Sequence, residues 1–303
     1  MRERVINSFW LIAIVSSIIC VFHISGCVFL IILSGICTQI EFCTLIEKSG
    51  QKPFKITSMI CGLALMLAAA YKSPDSQWLS QSSEFVFFSI TIIALQALFS
   101  NSLRVAQKSI ISSVASIVYG PFLFSFHIAL LREMKLCGLG DCVCIFTFLW
   151  MVFVTKACDI GGMFAGKYFG KTKIAPNFSP KKTVEGLIGG VICSIIVGFL
   201  LFWIFRKFLP QKFYFCKAAI LSVLLAVLSL VGDLVESILK RSAKEKDSGK
   251  IFSGIGGMFD LTDSLLLSLP FASIFIKNFG MLHVKGQFNC KLLQSFICLF
   301  MPD

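Results

Sequence analysis

Two polar stretches in the second half of the sequence carry side chains suited to holding and transferring phosphate. The first runs from Lys156 to Gly190. It contains Asp159, Lys167, Lys171 and Lys173 among glycines 161, 162, 166 and 170, then Ser179-Pro180-Lys181-Lys182-Thr183-Val184-Glu185-Gly186. The second runs from Asp233 to Asp263 through Glu236, Ser237, Lys240, Arg241, Lys244, Lys246, Asp247, Gly254, Gly256, Gly257 and Asp260. Closely spaced lysines can neutralise a triphosphate, glycines let backbone amides approach phosphate oxygens, and carboxylates can hold the divalent cation that phosphates bring. These are the parts that phosphoryl-type transfer requires.

Asp260 and Asp263 are three residues apart, so on a helix they face the same side. Asp233 stands alone in the apolar run Leu230-Val231-Gly232-Asp233-Leu234-Val235, where a charge is costly unless it meets a partner or a metal. The blander reading pairs Asp233 with a lysine of the bundle. For the loop lysines, Lys244 and Lys250 above all, the blander reading is a solvated basic edge facing lipid headgroups. Lys181 and Lys182 are different, being fixed between Pro180 and a helix start. The segment Ala165 to Thr172 fits a loose phosphate-loop pattern, but a true one follows a strand and opens a helix. Here an apolar span precedes it and Ala175-Pro176 follows.

The elements that must position these residues are membrane helices. The chain has 303 residues, 56% hydrophobic and 15% charged, with a mean hydropathy of +0.86, far from the usage of soluble domains. Apolar windows long enough to cross about 30 Å of hydrocarbon fall near residues 8–22, 28–46, 56–72, 85–102, 108–132, 141–160, 184–205, 218–238 and 263–281. Each run is continuous rather than alternating, so the expected fold is all-α, a polytopic integral membrane protein with eight or nine transmembrane helices. Two spans separate the polar stretches, which returns them to one membrane face. With the N-terminus inside, Lys48, Lys52, Lys55, Arg104 and Lys108 share that face, and the loop with Arg206, Lys207, Lys212 and Lys217 lies opposite.

The formal charge of +12 comes in short bursts between apolar runs, as expected beside anionic lipid, and this hydropathy argues against nucleic acid as partner. The thirteen cysteines lie largely inside apolar stretches without paired zinc spacing, so they read as small packing residues. His23, His127 and His283 are isolated and read as packing residues too. Ile24-Ser25-Gly26-Cys27 imitates a lipoprotein cleavage box, but apolar sequence resumes through Ile40, so Ser25-Gly26 reads as the turn of a membrane hairpin.

At the polar stretches the sequence resembles the phosphatidate cytidylyltransferase family, the CDP-diglyceride synthases. The likeness lies in Ser237-Ile-Leu-Lys240-Arg241, Lys246-Asp247-Ser-Gly249, Gly254-Ile255-Gly256-Gly257 and Asp260-Leu261-Thr262-Asp263, with Ser179-Pro180-Lys181-Lys182-Thr183 and Glu185-Gly186 upstream. Family members usually carry Pro or Gly where Ser253 stands, His at Ile255 and Arg at Leu261. N-terminal to Lys156 the likeness is one of hydropathy alone.

The resemblance implies transfer of CMP from CTP to phosphatidic acid, giving CDP-diacylglycerol and pyrophosphate. It implies Mg2+ on Asp233, Asp260 and Asp263, with K+ as companion, and phosphate charge on Lys181, Lys182, Lys240, Arg241 and Lys246. Asp247 would position lysines or ligand. Substrate would meet Ser179, Thr183, Glu185, Ser237, Gly256 and Gly257, although Thr183 could equally cap the following helix. It further implies a homodimer, with residues 1–140 as bundle and dimer scaffold and 141–303 as the catalytic region, whose basic loops put its polar face on the cytoplasmic side; if the cell is bacterial, the membrane is the inner one. Three rivals exist: a secondary transporter using Asp159 and Asp233 for ion coupling, a transferase acting on polyprenyl diphosphates, and a non-catalytic scaffold. The first would more often show broken helices in two related halves. The second would need an aspartate-rich loop in residues 1–140, where Asp75 is the lone aspartate. The third gives no reason for so many charges at the bilayer boundary.

Overall fold

The computed structural model describes residues 2–71, 78–100, 102–176, 179–249 and 256–278. Almost all of this is helix, because a chain this apolar must satisfy its backbone amides within each segment. In order come α1 (Arg2–Lys48), α2 (Lys55–Tyr71), α3 (Trp78–Ala97), α4 (Leu103–Ile117) and, through a π-helical turn at Val118–Phe122 containing Pro121, α5 (Leu123–Leu136). Next come α6 (Asp141–Phe169), a two-stranded hairpin of β1 (Lys173–Ala175) and β2 (Ser179–Thr183), α7 (Val184–Ile204), α8 (Phe215–Ser242) and α9 (Met258–Asn278). The strands are antiparallel, with Lys173 opposite Thr183 and Ala175 opposite Ser179.

The multi-span helical architecture expected from the sequence is present. Among the described residues, six stretches are long and apolar enough to cross a membrane: Ile12–Lys48, Leu103–Leu136, Asp141–Phe169, Val184–Ile204, Phe215–Ser242 and Met258–Lys277. Lys55–Tyr71 and Ser82–Ala97 are apolar but shorter. The expected windows 8–22 and 28–46 fall within α1, which bends sharply where His23 adopts φ 49° and ψ −129°. A Cβ at Gly26 would sit 2.7 Å from the carbonyl oxygen of Ile18, eight residues upstream, whereas a straight helix would put about 12 Å between those levels. The chain therefore turns back on itself at His23, slightly before the anticipated Ser25-Gly26.

Helix α7 shows how sequence sets packing. Gly186, Gly190, Ser194 and Gly198 recur every four residues along its buried face, while Ile188, Ile192, Ile196 and Leu200 are exposed on the other. With only glycine and serine on the inner stripe, α6 and α7 approach closely. A Cβ at Gly161 would collide with the Cβ of Cys193, and one at Gly189 with that of Ala165. Ser194 Oγ donates to Val154 O at 3.0 Å and Trp150 Nε1 to Gly198 O at 2.9 Å. Gly161→Val should therefore destabilise the protein by roughly 1–3 kcal/mol through overpacking. Thermal unfolding in detergent would show it, with Ile192→Ala on the exposed face as the silent control.

Candidate active site

The C-terminal ends of α6 and α8, the N-terminal ends of α7 and α9 and the β-hairpin gather at one end of the bundle, so both polar stretches meet there. Lys182 Nζ on β2 lies 2.8 Å from Asp233 Oδ2 on α8, an ion pair joining the two. Lys156 on α6 reaches α9, donating to Ser264 Oγ at 2.6 Å and lying 3.8 Å from Asp263 Oδ1. It also lies 3.3 Å from Asp159, whose other oxygen accepts from Ser229 Oγ of α8 at 2.7 Å. The Asp233 and Asp263 carboxylates adjoin each other. Two adjacent carboxylates repel, and here each is offset by one lysine.

A cavity of about 680 Å³ opens between α6, the hairpin, α7 and α8. Lys167, Lys171, Lys173, Lys181 and Lys182 line it, with Asp159 and Asp233 deeper in, while Gly162, Gly166, Gly170 and Gly186 give it a wall of backbone. Thr183 is the N-cap of α7, its Oγ1 accepting from Gly186 N at 3.1 Å. Glu185 accepts from the amides of Lys171 at 3.0 Å and Thr172 at 3.1 Å. Thr183 thus takes the capping role that stood open beside substrate contact, and Glu185, expected on substrate, braces the hairpin that presents Lys181 and Lys182. Ser179 is partly buried at the start of β2.

A second charged layer adjoins the first. Lys240 lies 2.8 Å from Glu236 and 3.0 Å from Asp260. Asp260 also accepts from Gly257 N at 2.8 Å and Ser248 N at 3.1 Å. Of the three aspartates expected to share a cation, Asp233 and Asp263 stand together, while Asp260 one turn away is engaged by Lys240 and these two amides. Gly256 has φ 118°, a conformation that suits glycine, and a Cβ there would come within 2.5 Å of Asp260 Oδ2. Gly256 and Gly257 thus wrap carboxylates rather than facing the cavity. Ser237 is partly buried, and Arg241, Lys246 and Asp247 are exposed where α8 ends. Leu261 is partly buried in the first turn of α9. Lys250, Ser253, Gly254 and Ile255 lie outside the described residues.

Glu41, given no role from the sequence, is 5% exposed on α1 and accepts from Ser248 Oγ at 2.8 Å, Met258 N at 3.0 Å and Phe259 N at 2.8 Å. A signal for it exists: Glu41 is the lone Asp, Glu, Lys or Arg between Arg4 and Glu47, and an ionisable residue inside an apolar span marks a site. Lys156 and Glu236 stand at the ends of the polar stretches but carry no assignment from the sequence either.

Among the described residues no group of three or more His, Cys, Asp or Glu side chains forms a cage for a metal. Magnesium does not require one. It is commonly bound through one or two carboxylates plus waters and substrate phosphates, and the adjoining oxygens of Asp233 and Asp263 beside a lysine-lined cavity fit that habit.

A bundle of apolar helices with lysines and paired carboxylates around a cavity at one end has the makings of an integral membrane enzyme acting on phosphate groups. The chain belongs to the cytidylyltransferase family, whose model matches residues 2–279. It is 29% identical over 303 residues to a phosphatidate cytidylyltransferase of Synechocystis, covering 90% of this chain and 96% of the relative. It is also 29% identical over 255 residues to one from Staphylococcus saprophyticus, covering 84% and 92%. Identity reaches 45% over 129 residues with one from Chlamydia trachomatis, a match spanning 40% of this chain and 41% of the relative.

Proposed function

We propose that this protein is a phosphatidate cytidylyltransferase, making CDP-diacylglycerol and pyrophosphate from CTP and phosphatidic acid. The observation that carries the reading is the convergence of five lysines on one cavity with Asp233 at its inner end, in a chain that belongs to the cytidylyltransferase family. A phosphate oxygen of phosphatidic acid forms the new bond to the α-phosphorus of CTP, the bond from that phosphorus to the β-phosphate bridging oxygen breaks, and pyrophosphate leaves with the electron pair. The nucleophile is already ionised, so no general base is needed.

Asp233 and Asp263 would hold magnesium, which supplies charge neutralisation for the phosphates. The cavity lysines bind the triphosphate and stabilise charge on the departing pyrophosphate. Lys182 connects the two functions, reaching the cavity while paired to Asp233. Lys156 pairs with Asp263 at 3.8 Å. Met163, Leu187 and Leu230 also line the cavity, an apolar border against which the diacylglycerol part of the lipid can lie while its phosphate meets the lysines.

The site end of the bundle carries Lys48, Lys167, Lys171, Lys181 and Lys182, with Arg241 and Lys246 close by, and this excess of positive charge favours the cytoplasmic side. The bend at His23 and the two shorter apolar helices support nine crossings with the N-terminus on that side.

The full-length protein in detergent micelles containing phosphatidic acid, given Mg2+ and CTP labelled at the α-phosphate, should move label into the organic phase with one pyrophosphate released per lipid labelled. Absence of any CDP-lipid across a range of acyl chains and divalent cations would remove the assignment.

A further inference from the structure

The glycine turn before α9 offers backbone amides of the kind that bind phosphate, yet in this structure they hold carboxylates of the protein itself. Glu41 engages Ser248 Oγ and the amides of Met258 and Phe259, and Asp260 engages the amides of Ser248 and Gly257. Glu41 belongs to α1, more than 200 residues away in sequence, so it acts as an N-cap supplied from a distant helix. A negative charge at that position also complements the helix dipole.

The fit around Glu41 is close. A Cβ at Gly249 or at Gly257 would collide with the Glu41 carboxylate. Its neighbour Phe42 stacks on Tyr119 at 5.6 Å and meets Phe259 edge-on at 5.9 Å, while Tyr119 meets Phe259 edge-on at 5.9 Å. One helical turn before Glu41, Thr38 Oγ1 lies 3.2 Å from Thr262 Oγ1. Successive side chains of α1 thus fasten residues 248, 257–259 and 262, which flank Asp260 and Asp263.

We infer that Glu41 is a positioning residue for cytidylyl transfer. Its carboxylate fixes the first turn of α9, and through it the placement of Asp263 beside Asp233, without touching either substrate. This rests on the proposed reaction. It assigns the N-terminal half of the chain, which the family model also spans, a part in positioning the acidic pair.

Glu41→Gln keeps the volume but replaces one acceptor oxygen by a donor facing amides that also donate. A buried donor without a partner is costly, so the turn should loosen. Purified full-length Glu41→Gln should show kcat lowered by about 10-fold or more, with the KM for CTP within about twofold because the cavity lysines are untouched. Glu41→Asp, which keeps the charge, should recover part of the loss. Hydrogen exchange should become faster at Met258 and Phe259 while the α6 and α7 amides stay protected.

Wild-type kcat in Glu41→Gln, or a loss shared equally by kcat and every protected amide, would overturn the inference. If Glu41→Gln cannot be purified folded, Ser248→Ala removes one of the three donors to Glu41 and is expected to lower kcat about threefold. An unchanged kcat there would overturn it as well. A wild-type protein that makes no CDP-lipid would instead refute the proposed reaction.

Discussion

Asp263→Asn should retain CTP binding and lower cytidylyl transfer by about 10³-fold, at the upper end of what removing one well-placed electrostatic partner costs an enzyme. Asp263 is 8% exposed, adjoins Asp233, and lies 3.8 Å from Lys156. Asparagine has nearly the same shape, so the α8–α9 contact at Gly232, where a Cβ would strike the Asp263 backbone carbonyl, is undisturbed. The charge alone is lost. The phosphates then meet the lysines without the acidic counterpart that orients a cation against them. The loss should therefore fall on kcat, with the KM for CTP changed by less than about threefold, the signature of an interaction made chiefly in the transition state. Raising the magnesium concentration should not restore the rate. A variant within tenfold of wild-type kcat would mean that Asp263 stands outside the chemistry.

The placement of the polar stretches on one face is legible in the sequence because hydropathy counts spans and an even number returns the chain to its starting side. The pairing of Asp233 with a lysine is also foreseeable from the cost of a lone charge in an apolar run. Less legible is what the loop residues do. Glu185, Gly256 and Gly257 fall to substrate by resemblance, yet Glu185 holds the amides of Lys171 and Thr172, and the two glycines make room for Glu41 and Asp260. Residue type reveals that an amide can bind an anion but not which anion arrives.

Glu41 is marked by its lone charge in an apolar span, but what it holds is not legible, for a related cause. Its partners lie more than 200 positions away, and no local period encodes that meeting. The hairpin of β1 and β2 is too short to leave an alternating pattern. The bend at His23 depends on one backbone conformation, which neither Ser25 nor Gly26 announces. By contrast the phosphate-loop pattern at Ala165 to Thr172 is no phosphate loop, as its context implies, since Ala165–Phe169 form the last turn of α6 and the backbone there continues a membrane helix.

Lys182→Met separates stability from chemistry at the junction of the two polar stretches. Lys182 and Asp233 form a 2.8 Å pair with side chains only 21% and 22% exposed. Removing one member of such a pair leaves the other charge uncompensated, a loss of about 3 kcal/mol at the lower end for buried pairs. Lys182→Met should therefore lower the unfolding temperature and, because Lys182 also lines the cavity, lower kcat/KM for CTP by about 10²-fold. Adding Asp233→Asn removes the stranded carboxylate and should return the unfolding temperature most of the way to wild type, since the pair couples energetically. Activity should fall further, as the double variant lacks both a phosphate-binding cation and a carboxylate of the acidic pair. If the second change restored activity together with stability, Lys182 would be a counter-ion of the bundle and no more. Recovery of stability with continued loss of activity would place Lys182 and Asp233 in the reaction itself.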